Sequence, residues 1–92
     1  MLNVVAEGVG LLQKYIRAAM QRAHYDIIEG SEPYYGEIAG VTGVWATAGT
    51  LEDCRDRLES AFEDWIVFSL VNGFDVPALD GIEFPKPVAA SS

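Results

Sequence analysis

Apolar residues recur every three or four positions through the first quarter of the chain. They are Val5, Val9, Leu12, Ile16, Ala19, Met20 and Ala23. This spacing places them on one side of an α-helix and predicts an amphipathic helix packed against a core. Gly8 and Gly10 each cost roughly 1 kcal/mol relative to alanine inside a helix. The helix is therefore expected from about Leu11 to Arg22, starting after Gly10 or fraying before it.

The middle of the chain alternates between apolar and polar residues and is divided by turns rich in glycine and proline. Strands are expected at residues 23–29, 34–39 and 44–47, with turns at 30–33 and 40–43. Because the connections have the length of hairpin loops, the three strands predict an antiparallel meander.

A second helix is expected to begin at Thr50, whose hydroxyl can accept a hydrogen bond from the backbone amide of Asp53. Asn72 and Gly73 are expected to end it, because glycine adopts the left-handed conformation that closes many helices. The residues predicted to face the core are Leu51, Cys54, Leu58, Ala61, Phe62, Trp65, Ile66, Ser69 and Leu70.

Together these elements predict an α+β fold in a chain of 92 residues, which is long enough for one modest core. The expected organisation is an N-terminal helical extension at 1–22, a β-β-β-α-β core at 23–84 and a flexible tail at 85–92. The last strand of that core is expected to be a short edge strand around Ile82–Phe84. The N-terminal helix could cover a sheet face or pair with a second copy, so a homo-oligomer is expected.

The formal net charge of −8 restricts the choice of partners. An acidic surface repels phosphate backbones, so direct binding of nucleic acid by this chain alone is not expected. The negative charge either only keeps the protein soluble or attracts a basic protein partner. The single cysteine, Cys54, cannot form an intramolecular disulfide and favours a reducing compartment. No long apolar run or signal-peptide pattern occurs, so a cytoplasmic protein without a membrane association is expected.

No residue pattern indicates catalysis, a cofactor or a metal ion, and the chain is not expected to be an enzyme. His24 is the only histidine and is interpreted as structural. Cys54 lies on the apolar side of the second helix and is interpreted as a small core residue. The glycines of the strand region lack the spacing of a phosphate-binding loop and are interpreted as turn and close-packing positions.

Two groups of residues are candidates for binding a partner. The aromatic group consists of Tyr34, Tyr35 and Trp45, which would mark an interface if one face of the sheet were left uncovered. The acidic group shares one flank of the second helix and consists of Glu52, Asp56, Glu59 and Glu63. This acidic flank can be a solvated surface, a docking face for a basic partner, or a metal or catalytic site.

The order of strand, glycine turn, strand and capped helix resembles the core of HicB-like antitoxins, which include UPF0150-type small proteins. The residues that carry the resemblance are Tyr34–Ile38, Gly40–Val44 and Gly49–Cys54. Members usually have Pro-Gly where this chain has Thr42 and Gly43. The helix-β-β-β-helix order also resembles double-stranded RNA-binding domains, but these need basic residues where this chain has Glu52, Asp53 and Asp56.

The HicB-like resemblance implies a partly RNase H-like fold and an antitoxin that covers a HicA-like toxin, a small basic ribonuclease. Typical members also carry a C-terminal DNA-binding domain, so operator binding by this chain is expected to require another protein. A stand-alone oligomeric scaffold without a toxin partner is the alternative function. A third hypothesis, an RNase H-like nuclease, would need Asp26 and Glu37 as Mg²⁺-binding carboxylates.

Overall fold

The protein folds as a helix, a three-stranded antiparallel sheet and a second helix, which confirms the predicted α+β class. The computed structural model describes residues 2–82, with side chains described from residue 10 onward. Within that range the elements are α1 (Leu2–Gln21), β1 (Ala23–Ile27), β2 (Tyr34–Ile38), β3 (Val41–Ala48) and α2 (Leu51–Val71). The strand order in the sheet is β1-β2-β3.

Helix α1 begins earlier than the sequence indicates, at Leu2, and it runs through both Gly8 and Gly10. Its largest fully buried side chain is Tyr15, which the predicted apolar stripe does not include. The Tyr15 ring stacks on that of Phe62 in α2, with centroids 5.7 Å apart. Its hydroxyl donates a hydrogen bond to the backbone carbonyl of Pro77. Tyr15 is therefore a core residue whose polar end is satisfied by the chain that follows α2.

The β2–β3 hairpin also differs in detail from the sequence-based expectation. Ile38 pairs with Val41, so the turn consists of two residues and β3 starts within the segment expected to be a turn. Gly40 in the turn has a φ of 89°, a conformation that glycine adopts without strain. The register then shifts between Glu37 and Ile38, and Gly43 has a φ of 91° opposite this shift. Gly43 thus belongs to a bulge and not to the turn.

Helix α2 packs on one face of the sheet, α1 packs against α2, and side chains from both helices and the sheet form a single hydrophobic core. Strand residues that point towards the helices alternate with exposed ones, as the pleat of a sheet requires. The buried side chains of this core come from α1, from β2 and β3, from α2 and from the segment after α2. They are Tyr15, Ile16, Ala18, Ala19, Ile38, Val41, Val44, Ala46, Leu58, Phe62, Ile66 and Leu79.

Both ends of α2 have the predicted capping residues. At the start, the Thr50 hydroxyl accepts a hydrogen bond from the Asp53 amide at 3.1 Å. At the end, Gly73 has a φ of 71°, and the Phe74 amide donates to the carbonyl of Ser69 at 2.8 Å. A second bond joins the Gly73 amide to the carbonyl of Leu70 at 3.3 Å, which completes a Schellman motif.

After α2 the chain returns beside α1. Leu79 is buried and forms an isolated β-bridge with Ile82. Arg22 and Asp80 form an ion pair at 2.8 Å that holds this segment near the end of α1. The expected edge strand is represented only by Ile82, because residues 83–84 and the expected tail at 85–92 lie outside the described residues. Within residues 2–82, neither helix is long and apolar enough to cross a bilayer.

Candidate functional site: the open face of the sheet

The face of the sheet opposite the helices is not covered by any described element. Its side chains come from alternate positions of the three strands and are mainly polar or aromatic. They are His24 and Asp26 from β1, Tyr35 and Glu37 from β2, and Trp45 and Thr47 from β3. We call this surface the open sheet face. It combines aromatic area with carboxylates, a composition that suits contact with another protein.

A stacked aromatic pair lies on the open sheet face. The rings of Tyr35 and Trp45 have centroids 6.2 Å apart and an interplanar angle of 24°. Trp45 remains 57% exposed although it is one of the largest apolar side chains of the protein. The Tyr35 hydroxyl donates to a carboxylate oxygen of Glu37 at 3.0 Å, and this hydrogen bond raises the pKa of Tyr35. The pair is thus held in place by an acidic neighbour on the same strand.

Tyr34 does not join this pair. It precedes Tyr35 on β2, so its side chain points to the helix-facing side of the sheet. There it pairs with Ile27 on β1 and Ala48 on β3 and is half-buried. Of the three aromatic residues that the sequence suggested, the structure therefore brings only Tyr35 and Trp45 together.

The acidic flank lies on the other side of the molecule from the open sheet face. The buried side of α2, which includes Leu58 and Phe62, faces the sheet, so Glu52 and Asp56 point away from it and are exposed. The other two members, Glu59 and Glu63, line a groove of about 550 Å³ between the helices, together with Gln13, Ile16, Arg17, Met20, Gln21 and Arg55. Two arginines in this groove offset part of the local negative charge. The acidic and aromatic candidates consequently form two separate surfaces.

The two reactive residue types have different surroundings. The Cys54 thiol is buried and donates to the Ala46 carbonyl at 3.6 Å. Burial raises the pKa of Cys54, which disfavours the reactive thiolate and agrees with a core role. His24 is exposed on the open sheet face, with Nε2 3.6 Å from a carboxylate oxygen of Asp26. Among the described residues, no group of three or more His, Cys, Asp or Glu side chains is arranged to hold a metal ion.

A polar cluster that the sequence did not indicate fixes the β1–β2 loop beside the open sheet face. Arg57 of α2 donates to Glu32 of this loop at 2.8 Å and to the backbone carbonyl of Thr47, also at 2.8 Å. The Thr47 hydroxyl donates to the second oxygen of Glu32 at 2.8 Å. The Arg57 guanidinium and the Thr47 hydroxyl hold the pKa of Glu32 below its usual value. Glu32 and Arg57 are 25 positions apart, so no local pattern could have revealed the pair.

A second feature missed from the sequence is the exposed apolar surface at the end of α2. Five residues there retain large exposed fractions, and we call them the apolar end of α2. They are Val67, Phe68, Leu70, Val71 and Phe74. The sequence did contain a signal for this surface, because residues 65–71 include more apolar side chains than one buried face of a helix can hold.

Comparison with known proteins gives the family of the chain. A crystal structure of TTHA0281 from Thermus thermophilus matches with a TM-score of 0.80 and 42% sequence identity, over 85% of this chain and 96% of the other. No curated protein matches. The family described as UPF0150-like matches residues 14–77, a region that includes the last two turns of α1, the whole sheet and α2. The resemblance to UPF0150-type small proteins is thereby confirmed, and the chain belongs to the UPF0150-like family.

Proposed function

We propose that this protein is a HicB-like, antitoxin-type interaction module that neutralises a small basic ribonuclease toxin by covering it. In this proposal the chain supplies no catalytic group and acts as a steric and electrostatic shield. The observation that carries it is the open sheet face, where the stacked rings of Tyr35 and Trp45 lie beside exposed carboxylates. Family membership and the net charge of −8 support it.

The expected docking site is the open sheet face and not the acidic flank. Aromatic side chains contribute most to the affinity of protein interfaces, and Trp45 presents such a side chain without a described helix above it. Asp26 and Glu37 on the same face would attract a basic partner and accelerate its association. Glu59 and Glu63 of the acidic flank share their groove with arginines, so that surface offers less net charge.

The deciding experiment combines a binding assay with a toxicity-rescue assay. The partner to test is any small basic protein encoded next to this chain, and its 1:1 affinity is measured by calorimetry. We expect Trp45→Ala to weaken binding at least tenfold and to lose rescue, as is typical of aromatic residues at interface centres. Phe68→Ala is the matched control, because Phe68 is an aromatic residue with a similar exposed fraction of 58% but lies on α2. This variant should retain both binding and rescue.

A charge test separates the two candidate surfaces. A variant with Asp26→Asn and Glu37→Gln should associate more slowly, and its association rate should depend less on salt. Removing all four carboxylates of the acidic flank should change the affinity much less. If the flank variant abolishes rescue while Trp45→Ala retains it, the toxin docks on α2 and the open sheet face has another role. If no basic protein binds at all, the antitoxin proposal is rejected.

A self-associating scaffold without a toxin partner is the second candidate. The exposed apolar end of α2 favours it, because apolar surfaces of this kind often mark protein interfaces. Deleting residues 1–22 would not test it cleanly, since Tyr15, Ile16 and Ala19 belong to the core. Measuring the mass in solution of the intact chain is the appropriate test, and a monomer without any bound protein would reject both candidates.

A further inference from the structure

Strand β1 lies at one edge of the sheet, and two hydrogen bonds at the ends of its pairing with β2 show which way its backbone groups point. The Ile28 amide donates to the Pro33 carbonyl at 2.7 Å, and the Ala39 amide donates to the Arg22 carbonyl at 3.2 Å. In an antiparallel pair, bonded pairs of residues alternate with non-bonded pairs. Because Arg22 and Ile28 are both bonded towards β2, every second residue between them is bonded in the same direction.

The backbone groups of the other residues of β1 point away from the sheet. His24 and Asp26 occupy the bonded positions of the register, so the amides and carbonyls of Ala23, Tyr25 and Ile27 form the outer edge. Among residues 2–82, no backbone group pairs with this edge. Free edges are templates for an added strand, and proteins usually protect them with proline, lysine or a bulge. Strand β1 contains no proline, lysine or bulge.

The opposite edge of the sheet, on β3, is protected. Arg57 of α2 donates to the Thr47 carbonyl at 2.8 Å and so occupies an outward backbone group of β3. The register shift opposite Glu37 and Ile38 and the bulge at Gly43 interrupt the same strand. Bulges of this kind prevent regular pairing along an edge. An added strand is therefore accommodated on β1 and not on β3.

A groove lies beside β1 on the helix-facing side of the sheet. It has a volume of about 550 Å³ between α1 and α2, and its lining residues Met20 and Gln21 come just before β1 along the chain. The Tyr25 ring lies close to Gly36 on the same side of the sheet. Burial raises the pKa of Tyr25, and the nearby charge of Arg55, which lines the groove, opposes this rise. A strand added to β1 would consequently place every second side chain over the groove.

We propose that the outer edge of β1 takes up an extended segment of the basic partner as a fourth strand, an inference that rests on the proposed function. Backbone hydrogen bonds supply affinity in this mode of recognition, and alternate side chains supply specificity. Side chains over the groove should be long and apolar, because Ile16 and Met20 line it and its two arginines balance its two glutamates. Side chains on the other side lie next to Asp26 on the open sheet face and should be basic. The partner segment is therefore expected to alternate between apolar and basic residues.

Two substitutions at one position test the backbone contact. Ile27 is 77% exposed and its amide points outward, so Ile27→Pro removes a donor from the edge without breaking the ladder between β1 and β2. Ile27→Ala is the matched control, because it removes most of the same side chain and keeps the amide. In calorimetry with a small basic protein encoded next to this chain, Ile27→Pro should bind about tenfold more weakly or worse. Ile27→Ala should bind nearly as well as the wild type. Circular dichroism of the free variants shows whether both are folded.

Hydrogen exchange of the wild-type chain gives a second readout that needs no substitution. The amides of Tyr25 and Ile27 should exchange at least tenfold more slowly in the complex, whereas the Asp26 amide is already bonded to β2 and should change little. If the basic protein binds but the Tyr25 and Ile27 amides stay unprotected, the edge proposal is wrong and the proposed function stands. If these amides become protected in the free chain as its concentration rises, a second copy occupies the edge instead. If no basic protein binds, both proposals are rejected.

Discussion

The close contact between β2 and α2 at Gly36 leads to a quantitative prediction for Gly36→Ala. Gly36 is buried, and it pairs with Tyr25 on β1 and Ala46 on β3. A Cβ atom at this position would lie 2.9 Å from two ring carbons of Tyr25 and 3.2 Å from the sulfur of Cys54. Both distances are shorter than ordinary van der Waals contacts, so either the ring or the start of α2 must move.

Two opposing effects determine the size of the change. Forcing an extra methyl group into a packed core typically costs about 1–3 kcal/mol. Replacing glycine also restricts the unfolded chain, which favours the folded state by about 0.4–1 kcal/mol. The Cys54 thiol is bonded to the Ala46 carbonyl and cannot move freely, so we expect the steric effect to dominate. The predicted net loss in the free energy of unfolding is about 1–2 kcal/mol.

Urea denaturation of the wild type, Gly36→Ala and Gly49→Ala provides the measurement. A Cβ atom at Gly49 would meet no atom within 4 Å beyond its chain neighbours, and Gly49 has no left-handed φ. Its substitution should therefore be neutral or stabilising by up to about 1 kcal/mol. Equal m-values would show that the change lies in stability and not in the compactness of the denatured state. If Gly36→Ala is as stable as the wild type while Gly49→Ala behaves as expected, the tight packing inferred around Tyr25 is wrong.

Three further predictions concern caps and ionisable groups. Thr50→Ala removes the acceptor for the Asp53 amide and should lower the free energy of unfolding by about 1 kcal/mol in urea titrations. Burial raises the pKa of Tyr15 from 10.0 to about 12, so its contribution to stability is complete below pH 10 and is lost as the pH rises through about 12. Tyr15→Phe should therefore flatten the alkaline loss of stability seen by circular dichroism. The hydrogen bond from Arg57 is the main cause that lowers the pKa of Glu32 in the folded protein. The ionised Glu32 side chain therefore contributes to stability above pH 4.5, the ordinary pKa of the group, and this contribution is lost as the pH falls through the lower pKa of the folded state. The stability difference between the wild type and Glu32→Gln should shrink on acidification through that range.

Each of these predictions has a contrary outcome that can be observed. Ser60→Ala is a control at an exposed position in the middle of α2, and it should stabilise the protein slightly because alanine has the higher helix propensity. If Ser60→Ala lowers the free energy of unfolding as much as Thr50→Ala does, the capping explanation is wrong. An unchanged alkaline transition in Tyr15→Phe would mean that another tyrosine controls it. A difference between the wild type and Glu32→Gln that stays constant with pH would show that the ion pair with Arg57 does not contribute.

Local signals in the sequence were sufficient to predict the capped helix α2 and the number of strands. Thr50 and Gly73 cap α2 through bonds to residues a few positions away, so their residue types alone indicated the boundaries. The alternation in β2 also places Tyr34 and Tyr35 on opposite faces, a distinction that was lost when both were grouped as interface candidates. Features of this kind depend on backbone geometry near one position and can be predicted without the tertiary structure.

The missed features depend on residues that are distant in sequence. Tyr15 is buried because Phe62 and Pro77 meet it, and neither contact has a signature within α1. The bulge at Gly43 arises from the register between β2 and β3, since a glycine pattern alone does not distinguish a bulge from a turn. The extent of the open sheet face likewise became clear only from the packing of α2 on the opposite face of the sheet.

The open sheet face and the outer edge of β1 belong to one sheet, so a single partner can contact both at once. Trp45 lies on β3 and Ile27 on β1, two strand spacings apart, which is roughly 10 Å. Substitutions at this separation usually act additively. The loss of affinity in the double variant Trp45→Ala/Ile27→Pro, measured by calorimetry, should therefore be about the product of the two single losses. Weak effects of the single substitutions with a large effect of the pair would instead mean that the partner binds in two alternative ways and never contacts both surfaces together.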